Sequence, residues 1–358
     1  MYLEFFKLKE LPFRITPDSE FLFMSGAHAR AKAYMDYSVW NREGFVAITG
    51  EIGCGKTTLI QKLLSELDEN VLVAKIFQTQ LDEVEFLQAV LVEFGINPFG
   101  AKKVELLDML NTFLLDNFHE LKQLVLIVDD AHNLSLKVLE EIRMLSGLET
   151  RKEKVLHVIL VGQPALNDIL DSKEMEQLTQ RIRLRYHIKS LSENDVRDYI
   201  NHRLTVAGAE DPETIFAAGT MPVIYKYTGG LPRLINILCD TAMTCAFADN
   251  VNGITTDVLN AAIEELQWLP YAKRINKRRA GMRDQGGVET QGLLQENTKA
   301  LANISNQLQA FDNFSPVMSS LSARLTGIES LLERIADLLD NKQRDAAPEK
   351  QSYMKKKN

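Results

Sequence analysis

The stretch from Gly44 to Thr58, Gly-Phe-Val-Ala-Ile-Thr-Gly-Glu-Ile-Gly-Cys-Gly-Lys-Thr-Thr, constrains this chain more than any other. An apolar run stops at a glycine-rich turn, and helix-forming residues begin directly after it. The template G-x-x-x-x-G-K-[ST] is filled by Gly50, Gly55, Lys56 and Thr57. Gly50, Gly53 and Gly55 have no Cβ, so the backbone can bend through positive φ and turn several N–H groups toward one anion. The helix that follows adds the partial positive charge of its N-terminus. The whole loop, including Glu51, Ile52, Cys54 and Thr58, is therefore the expected nucleotide-phosphate cradle. Lys56 supplies a mobile charge for the β and γ phosphates, and the Thr57 hydroxyl a ligand for Mg²⁺. Chance produces this template on the order of once in a hundred chains of this length. The strand-like run Phe45 to Thr49 and the helical spacing of Leu59, Ile60, Leu63, Leu64 and Leu67 lower that further.

The chain has 358 residues, 45% of them hydrophobic, enough for a large core and two or three structural units. A net charge of -8 excludes a protein that is basic overall, so contact with nucleic acid or an anionic membrane requires a local patch. Cys54, Cys239 and Cys245 make no C-x-x-C pair and are read as reduced core thiols, which suits the cytoplasm. The N-terminus lacks a signal peptide's apolar centre, and no uncharged apolar run reaches the roughly 18 residues of a membrane span. The histidines show no metal-binding spacing, and His132 and His157 are read as structural.

Residues 1–43 carry Leu-Pro-Phe at 11–13, Thr-Pro-Asp at 16–18, Phe21, Phe23 and a helix from about Ala27 to Asn41. This extension either lies over the nucleotide's base or seals a sheet edge. From 44 to 190 strands near 45–49, 71–77, 124–128, 155–161 and 183–188 alternate with helices, the pattern of a parallel α/β sheet. The third strand is apolar throughout and delivers Asp129 and Asp130 at its C-terminal end, where such sheets bind ligands. The first acid is suited to the Mg²⁺ shell and the second to orienting the attacking water. Gln163, after the fourth strand, either senses the γ-phosphate and positions water or only bonds its own loop. In 180–188, Arg181, Arg183 and Arg185 alternate with apolar residues, so period two puts them on one strand face. At a sheet edge one of them reaches a neighbouring subunit's phosphate; otherwise the face is simply solvated.

Residues 191–270 become purely helical. Ser192 and Asp195 form a capping box, Gly208 ends that helix, and Gly229-Gly-Leu-Pro-Arg233 opens another through about Ala248. Arg233, in a first turn where the helix dipole disfavours a cation, is suited to a ligand. Residues 271–292 form a basic linker, with Lys273, Arg274, Lys277, Arg278 and Arg279, either solvated or facing nucleic acid or lipid. Leu321, Leu325, Ile328, Leu332, Ile335 and Leu339 step by four and three, so 293–341 reads as short coiled-coil helices that need a partner, and 342–358 as a charged tail.

Gly50-Glu-Ile-Gly-Cys-Gly-Lys-Thr57, Val128-Asp-Asp-Ala-His-Asn-Leu134, Gly162-Gln-Pro164 and Gly229-Gly-Leu-Pro-Arg233, with the N-terminal Phe-Phe and Pro-Phe, occur here in one order. Together they resemble the ExeA (general secretion pathway protein A) family of AAA+ ATPases over residues 1 to about 268. The opening residues and Ala33-Tyr-Met-Asp-Tyr37 look closest to ATPases of bacterial exosortase and exopolysaccharide-export gene clusters. The resemblance implies an ASCE P-loop sheet with a helical lid, a homo-oligomer with ATP between subunits, and Walker A at Lys56 and Thr57. It places Walker B at Asp129, sensors at Gln163 and Arg233, and an arginine finger at Arg181. Where the family has Asp-Glu this chain has Asp129-Asp130, which draws the second carboxylate back by roughly a bond length and implies slow hydrolysis. Longer secretion-type members carry a membrane span and a cell-wall-binding region, where this chain has a heptad pattern.

The expected function is that of a cytoplasmic ATPase, peripheral to the inner membrane, which uses ATP and Mg²⁺ to drive assembly or regulation of an envelope export system. Its C-terminal helices would dock the partner. A DNA-associated regulator of the transposition or initiator type, and a slow-hydrolysing nucleotide switch, are the alternatives.

Overall fold

The computed structural model describes residues 2–40, 45–148 and 153–276. The linker beyond 276, the coiled-coil segment and the tail expected from the sequence lie outside the described residues.

A short helix, α1 (Tyr2–Phe5), and an extended stretch lead to α2 (Gly26–Trp40), and β1 (Phe45–Gly50) follows. Then come α3 (Lys56–Ser65), β2 (Val71–Ile76), α4 (Glu83–Glu93), α5 (Lys103–His119), β3 (Gln123–Val128), α6 (Leu136–Leu145), β4 (Leu156–Gly162), α7 (Ala165–Leu170), α8 (Glu176–Thr179) and β5 (Leu184–Ile188). The last helices are α9 (Glu193–Val206), α10 (Pro212–Ile215), α11 (Thr220–Thr228), α12 (Pro232–Ala248) and α13 (Thr256–Glu265).

The five strands form one parallel sheet in the order β2-β3-β4-β1-β5. Helices cover both faces, so β1, β3 and β4 are buried on both sides, which is why they read as continuous apolar runs. Pleating sends alternate side chains to different cores. Val46, Ile48, Ile127 and Ile159 pack with Ala31, Met35, Leu59, Ile60 and Leu63 of α2 and α3. Phe45, Ala47, Leu126 and Leu160 pack with Phe86, Leu110 and Ile142 of α4, α5 and α6 on the other side. Asp82 with Glu85 and Ser192 with Asp195 close capping boxes on α4 and α9, and Ser135 accepts from Val138 N–H to start α6. All three cysteines are buried and in no disulfide.

A third core joins α9, α11, α12 and α13 through Ile200, Leu204, Ile224, Leu238, Cys239 and Leu259. The N-terminal segment belongs to this helical unit: Tyr2, Phe6, Phe13 and Phe21 are buried in it, and Tyr2 Oη donates to Asp240 Oδ1 at 2.5 Å. The unit is joined to the sheet where Leu191 N donates to Gly230 O at 2.9 Å. Gly230 has φ +73°, and a Cβ there would stand 2.0 Å from Leu191 O.

The alternating-arginine strand requires correction. Strand β5 starts at Leu184, so Arg181 lies in the turn after α8 and only Arg185 of the three is on the strand. The period-two argument fails because the chain turns at Gln180 and Arg181 and enters the strand only at Leu184. Arg181 Nη1 donates to Arg143 O and to Ser146 Oγ (3.2 Å), satisfying the C-terminal end of α6 in its own chain. Arg185 donates to Asp171 Oδ1 at 2.6 Å and Thr179 Oγ1 at 2.8 Å. β5 is the edge strand, as the arginine reading required.

Gly230→Ala should cost about 3 kcal/mol or more, from positive φ and the backbone clash together, read as a lower denaturation midpoint. Arg181→Met should cost about 1–2 kcal/mol through the lost α6 cap; an unchanged midpoint would show that the guanidinium contributes nothing to its own chain's stability.

Candidate functional site

The site starts where β1 ends. A Cβ on Gly50 would stand 2.6 Å from Cys54 Sγ and 3.2 Å from Ile188 O, so the loop closes over the strand tip only without one. Gly53 and Gly55 have φ of +78° and +96°, and Gly55 is the N-terminal cap of α3. Lys56 is buried, and its ammonium donates to the carbonyls of Gly50 (2.8 Å) and Glu51 (3.0 Å). Glu51 and Ile52 face solvent, whereas Cys54 is buried, which raises its thiol pKa. The helix that carries Lys56, Thr57 and Thr58 is fixed by Leu59, Ile60 and Leu63, all fully buried against the sheet.

From β3, two positions over, Asp129 comes to the same place. It is 3% exposed, and its Oδ2 accepts from Thr57 Oγ1 at 2.7 Å while Oδ1 accepts from the N–H of Asp130 at 2.9 Å. Burial, the largest influence, raises its pKa; the two hydrogen bonds and Lys56 pull it down, and the Asp130 charge raises it. A hydroxyl and a buried carboxylate in contact are hard oxygen donors, a set that fits Mg²⁺, with Thr57 and Asp129 as the residues that would hold it. Asp130, at φ +50°, turns the chain and leaves its own side chain 55% exposed at the site.

His132, read from the sequence as structural, lies just behind Asp130 and Gln163 and is not among the residues that line the cavity in front of the loop. Its Nδ1 is 3.9 Å from Asp130 Oδ1 and 3.4 Å from the backbone N of Gln163. An amide can only donate, so Nδ1 accepts and the ring proton belongs on Nε2. Burial depresses the imidazole pKa below its usual value. A short 3-10 turn, Ala131–Asn133, which periodicity does not reveal, puts it there.

A cavity of about 570 Å³ opens in front of the loop, a volume in the range of small-molecule sites. Gly53 to Thr58, Asp130 and Gln163 form its floor, Arg14 to Asp18 and Phe21 to Phe23 one wall, and Leu191, Tyr199, Arg203, Arg233 and Asn236 the other. The N-terminal segment therefore lines the cavity, and its helix α2 packs against β1, β4 and the edge strand β5. Arg233 lines it from the first turn of α12, and its N–H donates to Gly53 O at 3.1 Å. Arg181 is not among the lining residues.

Sequence reasoning missed the polar clamp behind this wall. Tyr199 Oη donates to Asn236 Oδ1 (2.6 Å), and Asn236 Nδ2 donates to Arg14 O (3.1 Å). Arg203 is buried, donates to Pro12 O, Tyr199 Oη (3.1 Å) and Arg14 O (3.3 Å), and stacks 4.8 Å from the Phe21 ring. No motif carries these partners, because they are nearly two hundred residues apart in sequence. Thr49, buried at the end of β1, contacts His187 Nδ1 (3.1 Å) and Asn167 Nδ2 (3.2 Å), a link among three elements that was equally hidden. No group of side chains among the described residues forms a metal cage by itself, and no helix among them is long and apolar enough to cross a membrane.

Residues 40–170 match a family model described as an AAA domain. The chain is 39% identical over 270 residues to General secretion pathway protein A of Aeromonas hydrophila, a match that covers 75% of this chain and 49% of that protein. The chain thus spans about half the length of that relative. Among solved structures it is similar to Aeropyrum pernix ORC2 in ADPNP–ADP complexes, at TM-score 0.51 and 19% identity, covering 67% of this chain and 66% of the other. It is also similar to Cdc6p from Pyrobaculum aerophilum, at TM-score 0.52 and 16% identity, covering 95% and 89%. These likenesses concern the fold, a P-loop sheet with a helical lid. With that fold and the AAA domain, the chain is a P-loop protein of the AAA+ fold, and over three quarters of its length it is related to about half of general secretion pathway protein A.

Proposed function

We propose that the chain is an ATPase that works as an oligomer on a bacterial envelope export system. The observation that carries the ATPase reading is the 2.7 Å hydrogen bond from Thr57, which lines the cavity with Lys56, Gln163 and Arg233, to the buried Asp129 behind it. Two strand ends distant in sequence are thereby joined at the C-terminal edge of a parallel sheet, where phosphate and a divalent cation are handled together. In the reaction a water oxygen bonds to the γ-phosphorus, and the bond to the β–γ bridging oxygen breaks, releasing ADP and phosphate. Loop amides, Lys56 and Arg233 stabilise the phosphate charge, Asp130 orients the water and takes its proton, and Gln163 holds the γ-phosphate. Thr57 and Asp129 would hold Mg²⁺, which would supply charge neutralisation when bound. Arg181, outside its own cavity, is left to act on a neighbouring subunit, with α6 capping as its alternative role.

The export assignment rests on the name and 39% identity of the Aeromonas protein, of which the chain spans half. We place the protein on the cytoplasmic side, at an apparatus of the secretion or exopolysaccharide kind, with the heptad segment as the docking arm. A switch that hydrolyses slowly is the second reading, and it is favoured by the short Asp130 side chain, whose carboxylate lies 3.9 Å from His132.

In single-turnover assays Mg²⁺-dependent ADP formation should occur in the wild type and fall about 100-fold or more in Asp129→Asn. Asp130→Glu should raise the rate about tenfold if the retracted carboxylate limits the step; an Asp130→Glu variant that is no faster would show that Asp130 is already placed and would remove the basis of the switch. Retention of the export apparatus by the full chain, and its loss without residues 289–341, would support the docking role; equal retention would contradict it.

A further inference from the structure

His28 has no place in the motifs of the site, yet its ring touches the phosphate loop. It sits in the first turn of α2, 3% exposed, with Nε2 2.8 Å from the carbonyl oxygen of Cys54 and Nδ1 2.7 Å from Ser25 Oγ. A carbonyl only accepts, so Nε2 carries the proton, and in the neutral ring Nδ1 accepts from the serine hydroxyl. Burial pushes the imidazole below its ordinary range, which keeps it neutral at physiological pH. The Cys54 carbonyl therefore sets the tautomer, and Ser25, bonded to the other ring nitrogen, holds the ring with its donor aimed at the loop.

We propose that His28 is a positioning residue for phosphate binding: by holding the Cys54 carbonyl, it turns the Gly55 amide toward the anion. The reason is the planarity of the peptide bond. In a trans peptide the C=O and the following N–H point in opposite directions, so a carbonyl anchored on the α2 side sends the Gly55 N–H to the other side. Gly55 is in the left-handed region, where glycine has wide freedom, so this orientation needs an external hold. A Cβ on Gly55 would stand 3.1 Å from Nε2, which shows how closely the ring presses on this peptide. The preceding carbonyl, that of Gly53, is held in the same way by the Arg233 N–H at 3.1 Å. The loop is thus gripped from outside by the N-terminal segment and the lid at consecutive residues. The N-terminal segment is itself clamped to the lid by Arg203 and Asn236, so the three grips form one closed circuit around the cavity.

This inference rests on the loop being a nucleotide site, and the test separates the two. Equilibrium titration with a fluorescent ADP analogue and Mg²⁺ is made on the full-length wild type, His28→Phe, His28→Gln and Ser25→Ala, alongside nucleotide-free melting temperatures and steady-state ATP turnover. His28→Phe keeps a ring but no donor and should bind ADP about tenfold or more weakly. Its KM for ATP should rise with a much smaller change in kcat, the signature of lost binding common to ground and transition states. His28→Gln, which can still donate to Cys54 O, should stay within about threefold of wild type. Ser25→Ala, which frees the ring, should be intermediate and covers the case in which His28→Phe does not fold. Wild-type ADP affinity in both His28→Phe and Ser25→Ala would overturn the role of His28 alone. So would an equal loss in His28→Gln and His28→Phe at matched melting temperatures. A wild type that binds no nucleotide would overturn the underlying ATPase reading as well.

Discussion

Strand β1 is buried on both faces in the interior of a parallel sheet, between β4 and β5, and its chain must pass within a few residues to α3 on one side of that sheet. A path this short, made of glycines with positive φ, leaves a ring of backbone amides facing outward at the start of a helix. The rest of the structure follows from that turn. The sheet order puts β4 beside β1 and β3 beside β4, so Asp129 and Gln163 arrive at the same edge. Thr57, one residue past the lysine, is thereby 2.7 Å from an acid seventy-two positions later.

The turn is also what the surrounding elements support. Its Gly53 carbonyl is bonded by the lid, its Gly50 and Glu51 carbonyls by Lys56, and its Cys54 carbonyl by α2. With the Cys54 carbonyl bonded on the α2 side, the Gly55 N–H is left on the opposite side of that peptide, whereas the Cys54 N–H donates to Glu51 O at 3.2 Å. The lid and N-terminal segment share one apolar core, with Phe13 and Phe21 buried among residues of α9 and α11 to α13. Movement of the lid therefore moves the wall from Arg14 to Phe23 as well, because Arg203 and Asn236 hold that wall by its carbonyls. The N-terminus is tied to the same unit through Tyr2 and Asp240 on α12.

What was legible in the sequence was whatever depends on neighbours a few residues away. The buried strands showed as apolar runs, the capping box at Ser192 and Asp195 as a local pair, and the β1–loop–α3 unit as a motif with a mechanical reason for each glycine. The paired acids at the tip of β3 were legible because a strand buried on both faces has a visible end. What failed depends on non-local packing or on a backbone detail. Arg181 was assigned to a strand that starts three residues later, because alternation of residue types continues through the turn although the extended backbone does not. Nothing local marks the 3-10 turn that brings His132 toward Asp130 and Gln163. Arg203, Asn236 and His28 act through backbone carbonyls of distant segments, and a carbonyl leaves no trace in residue identity.

The central claim is that the amides of this loop and the Lys56 ammonium grip the phosphates of ATP. The most direct measurement is the equilibrium affinity of Lys56→Ala for Mg²⁺–ATP, with turnover and melting temperature on the same sample. Removal of that cation should weaken binding about 100-fold or more and abolish turnover while the nucleotide-free protein remains folded. A Lys56→Ala protein with wild-type affinity and turnover would contradict the account.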